Sequence, residues 1–347
     1  MPELQRADAR SGTPVVNRWR LLRLLLLGVL LALALVQFSR AVHDVSELLP
    51  FRHVLNLGWL GASILLQVLQ YAGDGYFTRR LLRILRFDVP LRDSIRIAAL
   101  DIFGATLLPL GQFSTLAAGY YFYRRRGLPA ETIIFLDAAV VGITGFVLVT
   151  LFLVALATVP AGALPRPVSY GSAAVVAIVL VIALVALVLL AGSTGVRAAV
   201  SERLRSYAWY GRLKAMLEAW PREFGRLAGR RLEFAGVVVA KDVVYYLLEI
   251  ASIETCFLAL HTAPHLALVA TAYFVSLVLG YAAMTPAGLG ATEATLAVLF
   301  LAAGIAPSTV VGVIVLYRLV NVVLPAPFGT WCFFSLRREQ PAVTAGG

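Results

Sequence analysis

Nine ionisable side chains lie within long apolar runs of this chain: Asp74, Asp101, Asp137, Lys241, Asp242, Glu249, Glu254, Glu293 and Arg318. A charge at membrane depth is costly, so such residues face one another or an internal cavity and mark candidate sites. Glu293 and Arg318 form the most specific pair. Glu293 sits one turn beyond Thr285-Pro286-Ala287-Gly288-Leu289-Gly290, and Arg318 lies midway along the last apolar run. A guanidinium offers a planar fork of donors to carboxylate or phosphate oxygens. The pair can be a salt bridge that fastens one segment to the next. It can also line a cavity, with Gly288 and Gly290 beside it, where Arg318 takes an anionic headgroup and Glu293 positions it or answers a cationic substituent. These readings are compatible.

Asp242 and Glu249 are seven residues apart and share a helical face, with Tyr245 and Tyr246 between them. That face is expected to look inward and to offer acid or base groups to a proton- or ion-coupled cycle, as is Glu293. Asp101 and Asp137 are candidate acidic counterparts of Arg318. Lys241, near the end of its run, is expected to snorkel to the surface. Asp74, in Gly73-Asp74-Gly75, is expected to cap a helix or pair with Arg79, and Glu254 to reach the outer interface.

What must hold these residues is membrane helix. The 347 residues are 60% hydrophobic and 14% charged, with mean hydropathy +0.84, outside the range of soluble domains. Segments 21–39, 56–77, 131–158, 168–191, 234–260 and 308–335 are each long enough to cross a bilayer. Arginines precede the first of them, which reads as a retained signal anchor. Residues 97–123 and 266–303 are interrupted at Pro109-Leu110-Gly111 and at Pro286 to Gly290, so each reads as two helices meeting at unwound backbone. Such breaks survive at depth only inside protein or beside water.

Of 30 basic residues, 25 fall in one alternating set of loops and termini, and only Arg40, Arg52 and Arg166 in the other. By the positive-inside rule both termini are cytoplasmic, in an inner-membrane protein of many spans. The net charge of +11 is thereby accounted for without a nucleic-acid partner. Residues 196–232 place apolar residues at helical spacing among Arg and Lys, as expected of a cytoplasmic amphipathic segment on anionic lipid. The signs alternate only if residues 97–123 begin and end in the cytoplasm and residues 266–303 begin and end outside.

A shift of 177 places Pro109 on Pro286, Gly111 on Gly288, Thr115 on Thr292, Ala117 on Ala294, Gly127 on Gly304 and Thr132 on Thr309. The expected fold is an all-α polytopic membrane protein in a single domain, 1–347. It has about six full crossings plus two broken hairpins, eight to ten membrane segments in all. Repeat one, about 97–158, and repeat two, about 266–335, have opposite orientation. Inverted repeats with broken helices are the pattern of transporters whose site lies near the midplane. His43, His53, His261 and His265 lack close ligand spacing, and Cys256 and Cys332 sit in apolar stretches, so neither a metal nor a disulfide is expected. No nucleotide-binding motif is visible, and no cofactor is expected.

The segment Thr285 to Ala294, followed by Gly304 and Arg318, resembles the C-terminal motif of the lysylphosphatidylglycerol synthase transmembrane (flippase-like) family. Leu108-Pro109-Leu110-Gly111 with Tyr120 to Leu128 looks like that family's first motif, although Gln112-Phe113-Ser114 stands where the family commonly has an acid and then a base. The resemblance implies the translocation half alone, without aminoacyl transfer: a phospholipid or lipid-linked headgroup moved across the membrane, with membrane lipids as partners. A membrane enzyme acting on lipid-linked substrates and a non-transporting regulator are the alternatives.

Overall fold

A computed structural model describes residues 55–107, 112–159, 222, 225–227, 229–282 and 290–338. Among these residues the chain is helical and contains no strand. The expected crossings at 21–39 and 168–191, most of the amphipathic segment, and Pro109, Pro286 and Gly288 lie outside them.

The helices are α1 (Leu57–Ile84), α2 (Leu91–Leu107), α3 (Gln112–Arg125), α4 (Ala130–Thr158), α5 (Arg231–Ala259), α6 (Leu266–Ala282), α7 (Ala291–Ala302), α8 (Pro307–Arg318), a π-helical turn (Leu319–Val323) and α9 (Pro325–Arg338). Two stretches, α4 and the continuous run Pro307–Leu336, are long and apolar enough to cross a bilayer. With the overall composition they establish an all-helical membrane protein. α3 and α7, at 14 and 12 residues, are about 21 and 18 Å long at 1.5 Å per residue and fall short of a bilayer core.

The chain repeats its own turns. Arg86 and His261 both take positive φ, 67° and 56°, where each long helix reverses. The hydrogen bond from Phe87 N to Leu82 O there recurs as Thr262 N to Phe257 O, an offset of 175 residues. At the next helix start, Ser94 N to Pro90 O recurs as Val269 N to His265 O at that same offset. Beyond the breaks the offset becomes the 177 residues read from the sequence: Leu128 N to Tyr123 O recurs as Ile305 N to Phe300 O. Gly127 and Gly304 supply the left-handed backbone at φ 84° and 83°, a conformation glycine adopts without strain. The structural correspondence therefore reaches further back than 97 and 266, to α1 and α5.

These two long helices make the most extensive packing in the molecule. They run antiparallel: Asn56 N bonds Ala259 O at one end, Ser63 Oγ lies 2.8 Å from Ser252 Oγ further in, and Asp74 meets Lys241 beyond that. α2 packs on α9 and α6 on α4, so the first short helix of each half lies against the last long helix of the other. At the α1–α2 crossing, a Cβ on Gly75 would lie 2.5 Å from Ile95 Cα. Gly75→Ala is therefore expected to destabilise the protein by about 1–3 kcal/mol through overpacking, checked as a lowered thermal midpoint in detergent.

Apolar side chains form two main clusters. One gathers Phe257, Phe274 and Phe300 from α5, α6 and α7, the first and last of them edge-to-face at 5.0 Å. The other gathers residues of α1, α2, α3, the start of α4 and α9, including Leu81, Ile97, Phe135 and Cys332. Along α5 the second cluster ends at Val238 and the first begins at Tyr246. Lys241 and Asp242 occupy the gap. At the end of the molecule where α1, α3 and α5 bring their basic termini, Asp93 pairs with Arg96 and Arg126, and Arg96 lies 5.2 Å from the Trp331 ring. Exposed Arg230 hydrogen-bonds Glu233 there, holding that carboxyl below its usual range.

Candidate functional site

The structure sorts the ionisable residues into two polar groups along the α1–α5 seam. The first centres on Glu249, which is 5% exposed. Its Oε1 accepts from Gln70 Nε2 at 2.8 Å, and its Oε2 from Tyr317 Oη at 3.0 Å and Asn321 Nδ2 at 3.1 Å. One carboxylate thus ties α1, α5, α8 and the π turn together. The π turn has a role in this: it begins one residue after Arg318 and carries Asn321. Single π turns of this kind gather at functional sites.

Arg318 closes α8 and is 9% exposed. It is ion-paired with Glu293, which stands in the first turn of α7 and accepts from Gly290 N at 2.8 Å through its other oxygen. Gly290 holds φ at 85°. The Glu293 carboxylate is therefore shared between a helix start and a buried guanidinium, whose Nε is buried without a hydrogen-bond partner. A buried guanidinium with donor capacity left over can take an oxyanion.

The second group lies nearer the basic end. Lys241 Nζ meets Asp74 Oδ1 at 2.9 Å, with side-chain exposures of 19% and 11%. Lys241 does not snorkel, because a buried carboxylate on the facing helix satisfies its charge at depth. Asp74 accordingly pairs with Lys241 and not with Arg79, which lies 3.8 Å from Asp88. Asp242 accepts from Thr144 Oγ1 of α4 at 2.7 Å. Asp242 and Glu249 are both buried, as their shared face required, but they engage different helices. Asp101 and Asp137 lie within electrostatic range of Lys241, so these two acids gather around the lysine. Glu254 is half-buried, with Oε2 enclosed and unpartnered, in place of the interfacial exposure expected of it. Both cysteines are buried free thiols.

Sequence reasoning centred on charge passed over Gln70, Thr144, Tyr317 and Asn321. Gln70 and Asn321 had a usable signal, since a buried amide in an apolar helix needs a partner as a carboxylate does. Removing one member of the Lys241–Asp74 pair leaves a buried charge, so Lys241→Met is expected to cost about 3–5 kcal/mol. The double variant with Asp74→Asn should recover most of that, read as thermal midpoints in a double-mutant cycle.

Residues 21–329 match the family described as the lysylphosphatidylglycerol synthase transmembrane region. A relative, the "UPF0104 membrane protein MJ1595" of Methanocaldococcus jannaschii, is 29% identical over 103 residues, which are 30% of this chain and 31% of that protein. The matched segment thus spans about a third of the relative's length. With the matched residues covering nearly all of the described helices and both polar groups, the chain belongs to the lysylphosphatidylglycerol synthase transmembrane-region family.

Proposed function

We propose that this protein is a lipid translocator of the cytoplasmic membrane, moving a phospholipid or lipid-linked headgroup across the bilayer without altering it chemically. In this reading it spans the membrane many times with both termini inside. α1–α4 and α5–α9 are inverted repeats, whose broken helices meet at a midplane cavity. The matching turns and the antiparallel α1–α5 pair support that arrangement.

The observation that carries the reading is Arg318. A guanidinium buried beside the α6–α7 break, paired with a helix-capping carboxylate and with Nε to spare, suits an anionic headgroup whose acyl chains stay in lipid. Glu293 either yields to the incoming anion or answers a cationic substituent beside it.

Native mass spectrometry of gently extracted protein tests this. The wild type should retain an anionic lipid that Arg318→Gln loses, and its mass should be unchanged after incubation with membrane lipids. A lipid returned with altered mass would favour a membrane enzyme, and retention indifferent to Arg318 would remove the site.

A further inference from the structure

Around Lys241 the charges do not balance. Asp74 from α1, Asp101 from α2, Asp137 from α4 and Asp242 from α5 surround one ammonium, which pairs with Asp74. Thr144 serves Asp242. Asp101 has no such service: its Oδ1 is fully buried and accepts no hydrogen bond. It lies over Gly119 of α3, where an added Cβ would sit 3.4 Å from that oxygen. Tyr123 of α3, 4% exposed, stands beside Gly119 and within range of Asp74, Asp101 and Asp137. From α9 the titratable neighbour of α2 is Cys332, near Arg96, while Phe103 packs on Gly329. Nothing on these facing helices supplies a second positive charge. An ionised, unpartnered carboxylate in such a place is strongly disfavoured, whereas a neutral carboxylic acid is not.

The same seam continues toward the far end of the membrane. Ser63, Gln67, Gln70 and Asp74 recur every three or four residues on one face of α1. Ser63 meets Ser252, Gln70 meets Glu249 and Asp74 meets Lys241. Gln67, 4% exposed and beside Tyr71, has both side-chain amide atoms buried without a hydrogen-bond partner. Buried amides left open in this way call for ordered water. Carboxyl groups and water-accepting amides in file are the parts of a proton path.

We propose that Asp101 is a proton-binding site that couples headgroup movement to a pH difference across the membrane, a role that rests on the translocator reading above. Binding forms one carboxyl O–H bond with a proton taken from water on one side of the membrane. Release returns that proton to water on the other, so the gradient itself is the driving co-reactant. Asp74 with Lys241 holds the neighbouring charge in place, and Asp137 shares the excess negative field.

Infrared difference spectroscopy on the full-length protein in vesicles reads the proton directly and needs no lipid movement. The wild type should show the C=O band of a protonated carboxyl at neutral pH. Raising the pH should abolish the band, and so should Asp101→Asn, an isostere of the neutral acid that keeps the fold. Asp137→Asn should shift the band without removing it. In the same vesicles an imposed pH gradient should change the rate at which wild type moves a labelled anionic phospholipid, and Asp101→Asn should lose that response. A band unaffected by Asp101→Asn, or displaced by sodium at constant pH, overturns the proton site. Movement indifferent to the gradient while the band behaves as expected overturns the coupling. If wild type moves no lipid at all, the translocator reading falls and the coupling with it, and the infrared result decides proton binding on its own.

Discussion

Arg318→Ala is expected to slow movement of an anionic lipid roughly 10- to 100-fold, since a hydrogen bond to a charged group contributes about 1.5–3 kcal/mol and each 1.4 kcal/mol is tenfold. The measurement is transbilayer movement of a labelled lipid in reconstituted vesicles. Arg318→Lys keeps the charge but loses the planar fork, so it should fall between wild type and alanine. A purely structural strut behaves differently. Truncating Arg318 then strands the Glu293 carboxylate, and the double variant Arg318→Ala/Glu293→Ala should recover function. In the headgroup account the double variant stays inactive, because nothing replaces the donor that receives the anion. Glu293 keeps its hydrogen bond from Gly290 N when Arg318 is removed, so α7 retains its start and the variant should fold.

Glu249→Leu should have the largest effect on stability. It removes one acceptor and leaves three buried donors, on Gln70, Tyr317 and Asn321, without a partner. Each unsatisfied donor costs about 1–3 kcal/mol, with less than full additivity once the site relaxes. A total loss of about 3–5 kcal/mol is expected, as for breaking a buried polar pair. Glu249→Gln keeps the shape and one acceptor oxygen, so its loss should be smaller. Thermal unfolding in detergent reads both, and a Glu249→Leu midpoint equal to wild type would remove the network as the tie between α1, α5 and α8.

The helical membrane class was legible because hydropathy alone specifies it: 29 residues of α4 carry only Glu131 and Asp137 as charges. The turns around Gly127 and Gly304 were legible as well, since left-handed backbone selects glycine. The earlier part of the correspondence was hidden. Its turns are built on Arg86 and His261, which carry no glycine signal, and its offset differs by two residues because the second break is longer. Pairing inside the membrane was legible only where it was short in sequence. Glu293 and Arg318 belong to neighbouring segments, whereas Asp74 reaches Lys241 on a helix 147 residues after its own ends. Local reading offered Arg79 as the nearer partner, and antiparallel packing of α1 on α5 overrode it. The π turn was invisible for another reason: residues 308–335 read as one uninterrupted apolar run, and the widened turn shows only in where Asn321 points.

Both polar groups gain their meaning from lipid movement, and that movement can be measured in isolation. Wild-type protein is reconstituted into vesicles whose outer leaflet carries a labelled anionic phospholipid, and its appearance in the inner leaflet is followed against protein-free vesicles. The account predicts movement well above the protein-free rate, with Arg318→Ala close to that rate. Movement no faster than in protein-free vesicles, from protein shown to be folded and correctly inserted, would contradict it.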